Sequence, residues 1–206
     1  MFMKRITDLL LVLVTAPLWL LLLAVTALLV YLKMGRPILF QQERTGVHGR
    51  SFMLSKFRTM LAGAGEDCER LTGFGRWLRA TSLDEVPQLL HVLVGDMSLV
   101  GPRPLPVRYL PRYTAEQARR LEVRPGLTGW AQVMGRNALT WEEKFRLDVW
   151  YVDHRSFWLD LRILCMTLRQ VVGGRGVSAK GHATMLEFEG LSEGTNRESG
   201  KSSKVP

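Results

Sequence analysis

Two adjacent carboxylates, Asp84 and Glu85, have the clearest capacity for chemistry in this sequence. Neighbouring side chains on a helix point about 100° apart, so these two do not share a proton as a facing pair would. One could instead attack an electrophile while the other orients a metal ion or takes up a proton. A structural interpretation also exists, because Ser82 and Glu85 match a capping box and Asp84 would favour the positive end of a helix. The spacing leaves both interpretations open.

Basic side chains could surround these carboxylates with positive charge. Arg103 lies between two prolines that restrict its backbone, and a pre-organised guanidinium suits bidentate recognition of phosphate or carboxylate. Lys56 and Arg58 alternate along a segment of strand character, so they should share one face. With Arg79 and Arg103, they could form a cationic pocket for a diphosphate. The alternatives are a surface arginine in a structural turn and an edge strand blunted by charge.

Other motifs carry less information. The glycines of residues 124–133 could let the backbone approach a ligand closely. The sequence contains no Walker loop, dinucleotide fingerprint or nucleophile elbow. Cys68 and Cys165 are too few and too far apart for a disulfide scaffold, and the four histidines show no spacing typical of a zinc site.

The elements that position these residues begin with an apolar segment. Residues 9–32 contain no charged side chain and would form a helix of ~36 Å, against a hydrocarbon core of ~30 Å. Pro17 removes a backbone hydrogen bond within it and divides it into two arms, the first too short to span a bilayer. Both flanks are basic, so they give no clear orientation. A re-entrant hairpin and a kinked spanning helix both remain open.

The rest of the chain predicts a mixed, helix-rich α/β fold. We expect a β-hairpin from residues 37–43 and 51–60. The helical predictions are a stretch over 62–80 broken at two glycines, a helix opening at 81–85 and running to about residue 94, helical spacing over 108–121, and amphipathic helices over 141–151 and 157–172. Residues 95–106 should form a loop, and residues 124–136 short strands and turns. The domains are then a membrane helix (1–36), a catalytic domain (37–172) and a polar tail with the composition of a disordered segment (173–206).

Charge and aromatic content bear on the partner. The chain has 28 basic and 19 acidic residues and a net charge of +9, which favours nucleic acid, an anionic membrane surface or phosphorylated substrates. Helical segments that contain arginine also contain aromatic residues, at Arg76-Trp77, Trp150-Tyr151 and Phe157-Trp158, a composition typical of helices at a membrane interface. The arginines are dispersed among apolar segments without a recognised nucleic-acid motif, so we expect no nucleic-acid partner.

Six segments in register carry a specific resemblance, and they extend from about residue 3 to 172. They are KRITD (4–8), KFRTM (56–60), SLDEVPQL (82–89), GDMSLVGPRP (95–104), RPGLTGWAQV (124–133) and the 148–164 stretch that contains FWLDL. This set resembles the bacterial sugar transferase family, the monotopic phosphoglycosyl transferases. The chain resembles the minimal form of that family.

The resemblance implies transfer of a phospho-sugar from a UDP-sugar to polyprenol phosphate (undecaprenyl phosphate), with release of UMP, as the first membrane step of exopolysaccharide, lipopolysaccharide or other glycoconjugate assembly. It makes Asp84 the nucleophile of a covalent aspartyl intermediate and Glu85 its partner, with Mg²⁺ bridging Asp84 and the substrate phosphates. Lys56, Arg79 and Arg103 would hold phosphates or the nucleotide. Asp148 is a further pocket candidate, whose alternative is a salt bridge with a nearby arginine, Arg146 or Arg155.

The family's N-terminal helix is re-entrant and broken at a Ser-Pro pair, which is Ala16-Pro17 here. The resemblance therefore implies a monotopic protein in the inner (cytoplasmic) membrane, with the catalytic domain and both chain ends on the cytoplasmic side and several helices at the lipid interface. A homo-oligomer is left open. The rival functions are a non-catalytic membrane-anchored scaffold of a glycan assembly complex, a basic nucleic-acid binder, and a glycosyltransferase that releases UDP.

Overall fold

The computed structural model describes residues 2–61, 63, 70–135, 138–173, 187, 188 and 190, and these form a helix-rich α/β fold as expected. In chain order the helices and strands are α1 (Phe2–Val14), α2 (Ala16–Met34), β1 (Leu39–Thr45), β2 (Ser51–Phe57), α3 (Gly73–Ala80), α4 (Gln88–Val94), β3 (Ser98–Val100), α5 (Ala115–Ala118), β4 (Gly126–Thr128), α6 (Trp130–Met134), α7 (Trp141–His154) and α8 (Phe157–Val172). Short 3-10 segments cover Val47–Gly49, Leu83–Glu85, Val107–Arg112 and Arg119–Glu122. The predicted disorder of the tail falls almost wholly outside the described residues.

The apolar N-terminal segment is interrupted next to Pro17, as predicted, and α1 and α2 meet at Thr15. Pro17 has no N–H to donate to the preceding turn. Neighbouring side chains bind carbonyl groups of that turn instead: Thr15 Oγ1 donates to Leu11 O at 2.7 Å, and Trp19 Nε1 donates to Val12 O at 2.9 Å. These side-chain bonds stabilise the break. Within the described residues, only α2 is long and apolar enough to cross a membrane.

The first arm, α1, packs against the body of the protein through polar groups. Arg5 Nη2 donates to Leu93 O at 2.8 Å, where α4 ends, and the Ser98 hydroxyl of β3 donates to the buried Asp8 carboxylate at 2.7 Å. One turn further along α1, Val12 is fully buried in the main apolar cluster, which also contains residues of α4 and β3. A helix of the membrane segment therefore carries charged residues because the globular domain supplies their partners.

The second arm, α2, returns to the same body at its C-terminal end. Val30 is fully buried against Phe57 of β2 and Leu78 of α3. The side chain of Arg58 is also buried, and its guanidinium donates to the carbonyl groups of residues 34–36, at 3.1 Å for Gly35. Arg58 thus holds the end of α2, and its expected place in a cationic pocket with Lys56 is wrong.

The β-hairpin is confirmed, with β1 and β2 antiparallel and Phe40 opposite Lys56. Side chains two positions apart on a strand share a face, so Lys56, Leu54, Gln42 and Arg44 line the same side of the hairpin. The helix predicted over residues 62–80 is corrected. Gly75 does not break it but lies within α3, where a Cβ would meet Thr59 O at 1.8 Å, so glycine lets the helix pack directly on the chain that follows β2.

The strand β3 lies in the segment expected to be a loop, and it pairs in parallel with β4, which lies in the region expected to form short strands and turns. Gly101 N donates to Thr128 O and Gly126 N donates to Pro102 O, each at 2.9 Å. A Cβ at Gly126 would lie 2.0 Å from Gly101 N, so the close approach that this glycine permits is to the proline-rich loop. These contacts fix the loop that carries Arg103.

One residue of the expected tail packs into the domain. Phe188 is buried among four aromatic rings, those of Tyr109, Tyr113, Trp141 and Phe145, with a centroid distance of 4.9 Å to Phe145. Its backbone N–H donates to Tyr109 Oη at 3.2 Å. The polar composition of residues 173–206 hides this contact, because one aromatic side chain among many small polar ones barely alters the average.

Candidate active site

The turn between α3 and α4 positions the paired carboxylates. Ser82 adopts a left-handed conformation (φ 57°), and Asp84 lies in the 3-10 segment that follows, with 6% of its surface exposed. The predicted capping box is wrong, since the Ser82 side chain makes no capping hydrogen bond. A helix N-cap has extended backbone angles, and the left-handed turn at Ser82 directs the chain elsewhere. Asp84 is therefore presented by a strained turn ahead of α4, which begins only at Gln88.

Burial gives Asp84 unusual acid–base properties. It raises the pKa of Asp84 to about 7, and the neighbouring Glu85 carboxylate adds to the rise. Lys56, Arg103 and Arg79 oppose the shift through their positive charges. Burial of the Lys56 side chain lowers its own pKa, and the negative charge of Asp84 counteracts that effect. The structure thus brings the predicted Lys56, Arg79 and Arg103 into electrostatic contact with Asp84.

Glu85 is held by one of these cations. Arg103 Nη2 donates to Glu85 Oε1 at 2.6 Å, and about half of the Arg103 side chain remains exposed. A charge-assisted bond of this kind fixes the direction of both side chains. Glu85 is therefore oriented by the proline-rich loop, and Arg103 keeps donors that face solvent.

Arg79 reaches the site from the last turn of α3. Thr72 caps the first turn of this helix by accepting from Gly75 N, at 2.9 Å. Near the other end, Arg79 Nε donates to the Thr59 hydroxyl at 3.0 Å, just beyond β2. The helix, strand and turn that meet here thus supply Arg79, Lys56 and Asp84 respectively.

Asp148 does not line this pocket. It is fully buried in α7 and accepts two hydrogen bonds from Arg120, at 2.7 and 3.1 Å. Its partner is thus neither Arg146 nor Arg155, because the 3-10 segment after α5 packs on α7 and places Arg120 over the carboxylate. The Arg120 Nη2 that donates to Asp148 at 2.7 Å also donates to Arg103 O at 2.8 Å. Asp148 therefore acts on the site through Arg120 and the loop of Arg103.

The donor atoms at the site suit a divalent cation that also binds substrate. The described residues contain no group of three or more metal-binding side chains. Mg²⁺ needs no such cage when it is held by one or two carboxylates together with phosphate oxygens. Asp84 and Glu85 offer such carboxylates, next to cations that would attract phosphate. A buried carboxylate facing several cations can attack a phosphorus atom whose charge those cations neutralise.

Sequence reasoning missed three residues around the site. Arg120 and Gln88 are buried, and Arg44 lies on the hairpin face shared with Lys56. For Arg44 a signal existed, because the period of two along a strand places it on the same face as Phe40, the residue opposite Lys56. For Arg120 and Gln88 no sequence signal distinguishes them from the many other polar residues of helical segments.

Comparison with known proteins agrees with this geometry. A family model described as bacterial sugar transferase matches residues 1–174. The chain is 51% identical over 201 residues to the uncharacterized sugar transferase EpsL of Bacillus subtilis, covering 92% of this chain and 97% of that protein. It is 40% identical over 181 residues to a UDP-glucose:undecaprenyl-phosphate glucose-1-phosphate transferase of Caulobacter vibrioides, covering 80% of this chain and 68% of that protein.

A third relative is longer than the region it shares with this chain. The undecaprenyl-phosphate galactose phosphotransferase of Salmonella typhimurium is 37% identical over 161 residues, which is 67% of this chain and 34% of that protein. The match to the family model covers the membrane segment, the paired carboxylates and the loops that hold them. The chain belongs to the bacterial sugar transferase family.

Proposed function

We propose that this protein transfers a sugar phosphate from a UDP-sugar to undecaprenyl phosphate or a similar polyprenol phosphate and releases UMP. The observation that carries the proposal is the buried Asp84 among Lys56, Arg79 and Arg103. The named activities of the Caulobacter and Salmonella relatives support the reaction class. Transfer from a nucleotide donor to a lipid phosphate also suits the basic chain and its apolar helix.

The first step forms a covalent intermediate. A carboxylate oxygen of Asp84 attacks the phosphorus that bears the sugar, and the bond from that phosphorus to the bridging oxygen breaks. UMP leaves with the bridging oxygen and its electron pair, so no proton transfer is required. The product is an acyl phosphate that links the sugar phosphate to Asp84.

The second step regenerates the carboxylate. A phosphate oxygen of the polyprenol phosphate attacks the same phosphorus, and the bond to Asp84 breaks with its electron pair returning to the carboxylate. Lys56, Arg79 and Arg103 stabilise the charge that accumulates on the phosphoryl oxygens in both steps. Mg²⁺, held by Asp84 with help from Glu85, would supply further neutralisation of the phosphates.

The proposal includes a re-entrant membrane segment. Both arms contact the same domain, α1 through Arg5 and Asp8 and α2 through Val30. If this segment crossed the bilayer, its two ends would lie on opposite sides, and one water-exposed domain could not contact both. The packing therefore supports a hairpin that dips into one leaflet. The domain then lies on the cytoplasmic face of the inner membrane, where the nucleotide donor is available. The exposed aromatic side chains of Trp77, Phe157 and Trp158 lie at the lipid interface.

The test is nucleotide release by protein in nanodiscs with Mg²⁺, polyprenol phosphate and a panel of UDP-sugars. We expect UMP with at least one donor, none from Asp84→Asn, and an intact-mass increase equal to one phospho-sugar when the acceptor is omitted. Release of UDP would instead indicate an ordinary glycosyltransferase. No turnover and no adduct with any donor would favour a scaffold. Glu142→Gln, an exposed carboxylate change on α7, is the matched control and should retain wild-type turnover.

A further inference from the structure

A small cavity opens on the face of the hairpin beside the candidate active site. The empty space between its lining atoms, which includes the part open to solvent, is about 270 Å³. It is lined by Arg44, Leu54, Lys56, Gln88, Arg103 and Pro104. Three of these side chains are cationic and none is a carboxylate, so the cavity is suited to an anion.

Gln88 is the most informative of the lining residues. Only 3% of its surface is exposed, and its side-chain amide makes no hydrogen bond to the described residues although the amide atoms are not fully shielded from solvent. Buried polar side chains almost always have a hydrogen-bond partner. An unpaired amide that borders a cavity is therefore a group that a ligand would satisfy.

Arg44 has unused donors on the same side. Its Nη1 donates to Pro104 O at 3.1 Å and its Nη2 donates to Gln42 Oε1 at 2.6 Å, whereas its Nε is buried without a partner among the described residues. The two existing bonds hold the guanidinium in one orientation. Burial lowers the pKa of Arg44 to about 10, and the positive charge of Arg103 adds to the effect. An anion in the cavity would relieve this crowding of cations.

We propose that Arg44 and Gln88, together with Lys56 and Arg103, form a subsite for a terminal phosphate group. This inference rests on the proposed function, and it adds two binding residues to those already described. Either the phosphate of the leaving nucleotide or that of the lipid acceptor has this chemistry. The guanidinium and ammonium groups bind the phosphate oxygens, and the Gln88 amide N–H donates to one of them.

The test compares full-length wild type with Gln88→Glu and Arg44→Lys in nanodiscs. The first variant places a carboxylate in the subsite at almost constant volume, and the second keeps the charge but loses the planar fork. Calorimetric titration with UMP and inhibition by inorganic phosphate report on binding, while the KM for polyprenol phosphate reports on the acceptor. We expect affinity for at least one phosphate ligand to fall at least about tenfold in Gln88→Glu, because like charges repel at this distance.

The control is Gln41→Glu, which introduces the same charge at an exposed position of β1. It should bind as wild type does. Loss of UMP binding alone assigns the subsite to the nucleotide, loss for polyprenol phosphate alone assigns it to the acceptor, and loss of both means that one subsite serves both steps. Wild-type affinities for every ligand in folded Gln88→Glu and Arg44→Lys would overturn the inference.

These outcomes separate the subsite from the reaction. If wild type releases UMP but the variants bind all phosphate ligands normally, the subsite is wrong and the proposed function stands. If wild type shows no turnover with any donor but binds UMP or inorganic phosphate, and Gln88→Glu weakens that binding, the subsite stands without the reaction. Thermal midpoints of both variants within a few degrees of wild type exclude misfolding as the cause.

Discussion

Asp84 must be ionised to act as a nucleophile, yet its surroundings favour the neutral form. Burial is the main cause, and Glu85 adds to it, while three cations reduce the effect only in part. A folded-state pKa of about 7, above the ordinary value of 3.8, means that the folded protein binds a proton more tightly than the unfolded chain does. The contribution of this proton to stability is present at low pH and is lost as the pH rises to about 7.

This linkage predicts that Asp84→Asn stabilises the fold at alkaline pH while abolishing transfer. The asparagine cannot ionise, so in the absence of Mg²⁺ its thermal midpoint should exceed that of wild type by a few degrees at pH 8, which corresponds to about 1 kcal/mol. The difference should shrink towards pH 5. Thermal unfolding at both pH values measures it, with Glu142→Gln as control. A difference that is the same at pH 5 and pH 8 would contradict the assignment.

The buried pair of Arg120 and Asp148 leads to a second prediction at the residue scale. Asp148→Asn leaves the Arg120 charge without its counter-ion and should destabilise the fold by about 3–5 kcal/mol. Asp148→Leu combined with Arg120→Met removes both charges and should be less destabilising than either single change. Denaturant unfolding of Asp148→Leu, Arg120→Met and the double variant gives the coupling energy. Additive effects of the two changes would show that the pair does not act as a unit.

Those residues of the site that belong to a local sequence pattern can be predicted from the sequence. Asp84, Lys56 and Arg103 stand out because a carboxylate pair, an alternating strand and a restricted proline loop are local patterns, and the structure brings them together with Arg79. Arg120 was not foreseen, since a residue twenty-eight positions from its partner carries no sign of the pairing before the chain folds. The same holds for Arg58. Its place two residues after Lys56 predicts a position in the pocket, whereas its actual partners are carbonyl groups at the end of α2.

At the scale of elements, long and strongly apolar or amphipathic segments are predictable from the sequence, and short ones only in part. The hairpin, α2, α7 and α8 follow from periodicity and turn residues, and β4 lies in the region expected to form short strands and turns. The strand β3 lies in a segment expected to be a loop, because three residues that form a strand only by pairing with β4 show no periodicity of their own. The helix predicted from residue 81 begins only at Gln88, because the left-handed backbone conformation of Ser82 cannot continue into a right-handed helix.

The aromatic cluster around Phe188 joins the C-terminal segment to the site. Phe145, which contacts the Phe188 ring, also lies under the Arg120 guanidinium at 5.5 Å, and Arg120 holds the loop of Arg103. Phe188→Ala should therefore destabilise the fold by about 3–5 kcal/mol through the cavity it creates. It should also raise the KM for the nucleotide donor, because the support of Arg103 is weakened.

Two variants make the Phe188 prediction specific. Phe188→Leu keeps much of the volume and should restore most of the stability and the KM. Phe157→Ala removes an exposed ring of α8 and should leave the KM for the soluble donor unchanged. Unfolding midpoints and donor titrations of the three proteins check the expectation. A Phe188→Ala protein with wild-type stability would contradict the packing described here.

At the scale of the whole molecule, the packing of both arms on one domain predicts a one-sided topology. In a background without Cys68 and Cys165, single cysteines are introduced at the exposed Met3 of α1 and at the exposed Arg50 of the hairpin turn. A membrane-impermeant maleimide should label neither cysteine in intact spheroplasts and both after lysis. Labelling of the Met3→Cys protein from outside, with Arg50→Cys protected, would establish a spanning helix.

The contacts of α1 also determine when the molecule can be completed. Lys4 pairs with Asp160, 156 positions later, and Asp8 accepts from Ser98, 90 positions later. Synthesis proceeds from the N-terminus, so this helix leaves the ribosome long before its partners exist, and contacts of such high sequence separation form slowly. We therefore expect the anchor to enter the bilayer first and the domain to fold onto it afterwards. Nascent chains that stop before α8 should bind membranes but lack the protease resistance of the finished protein.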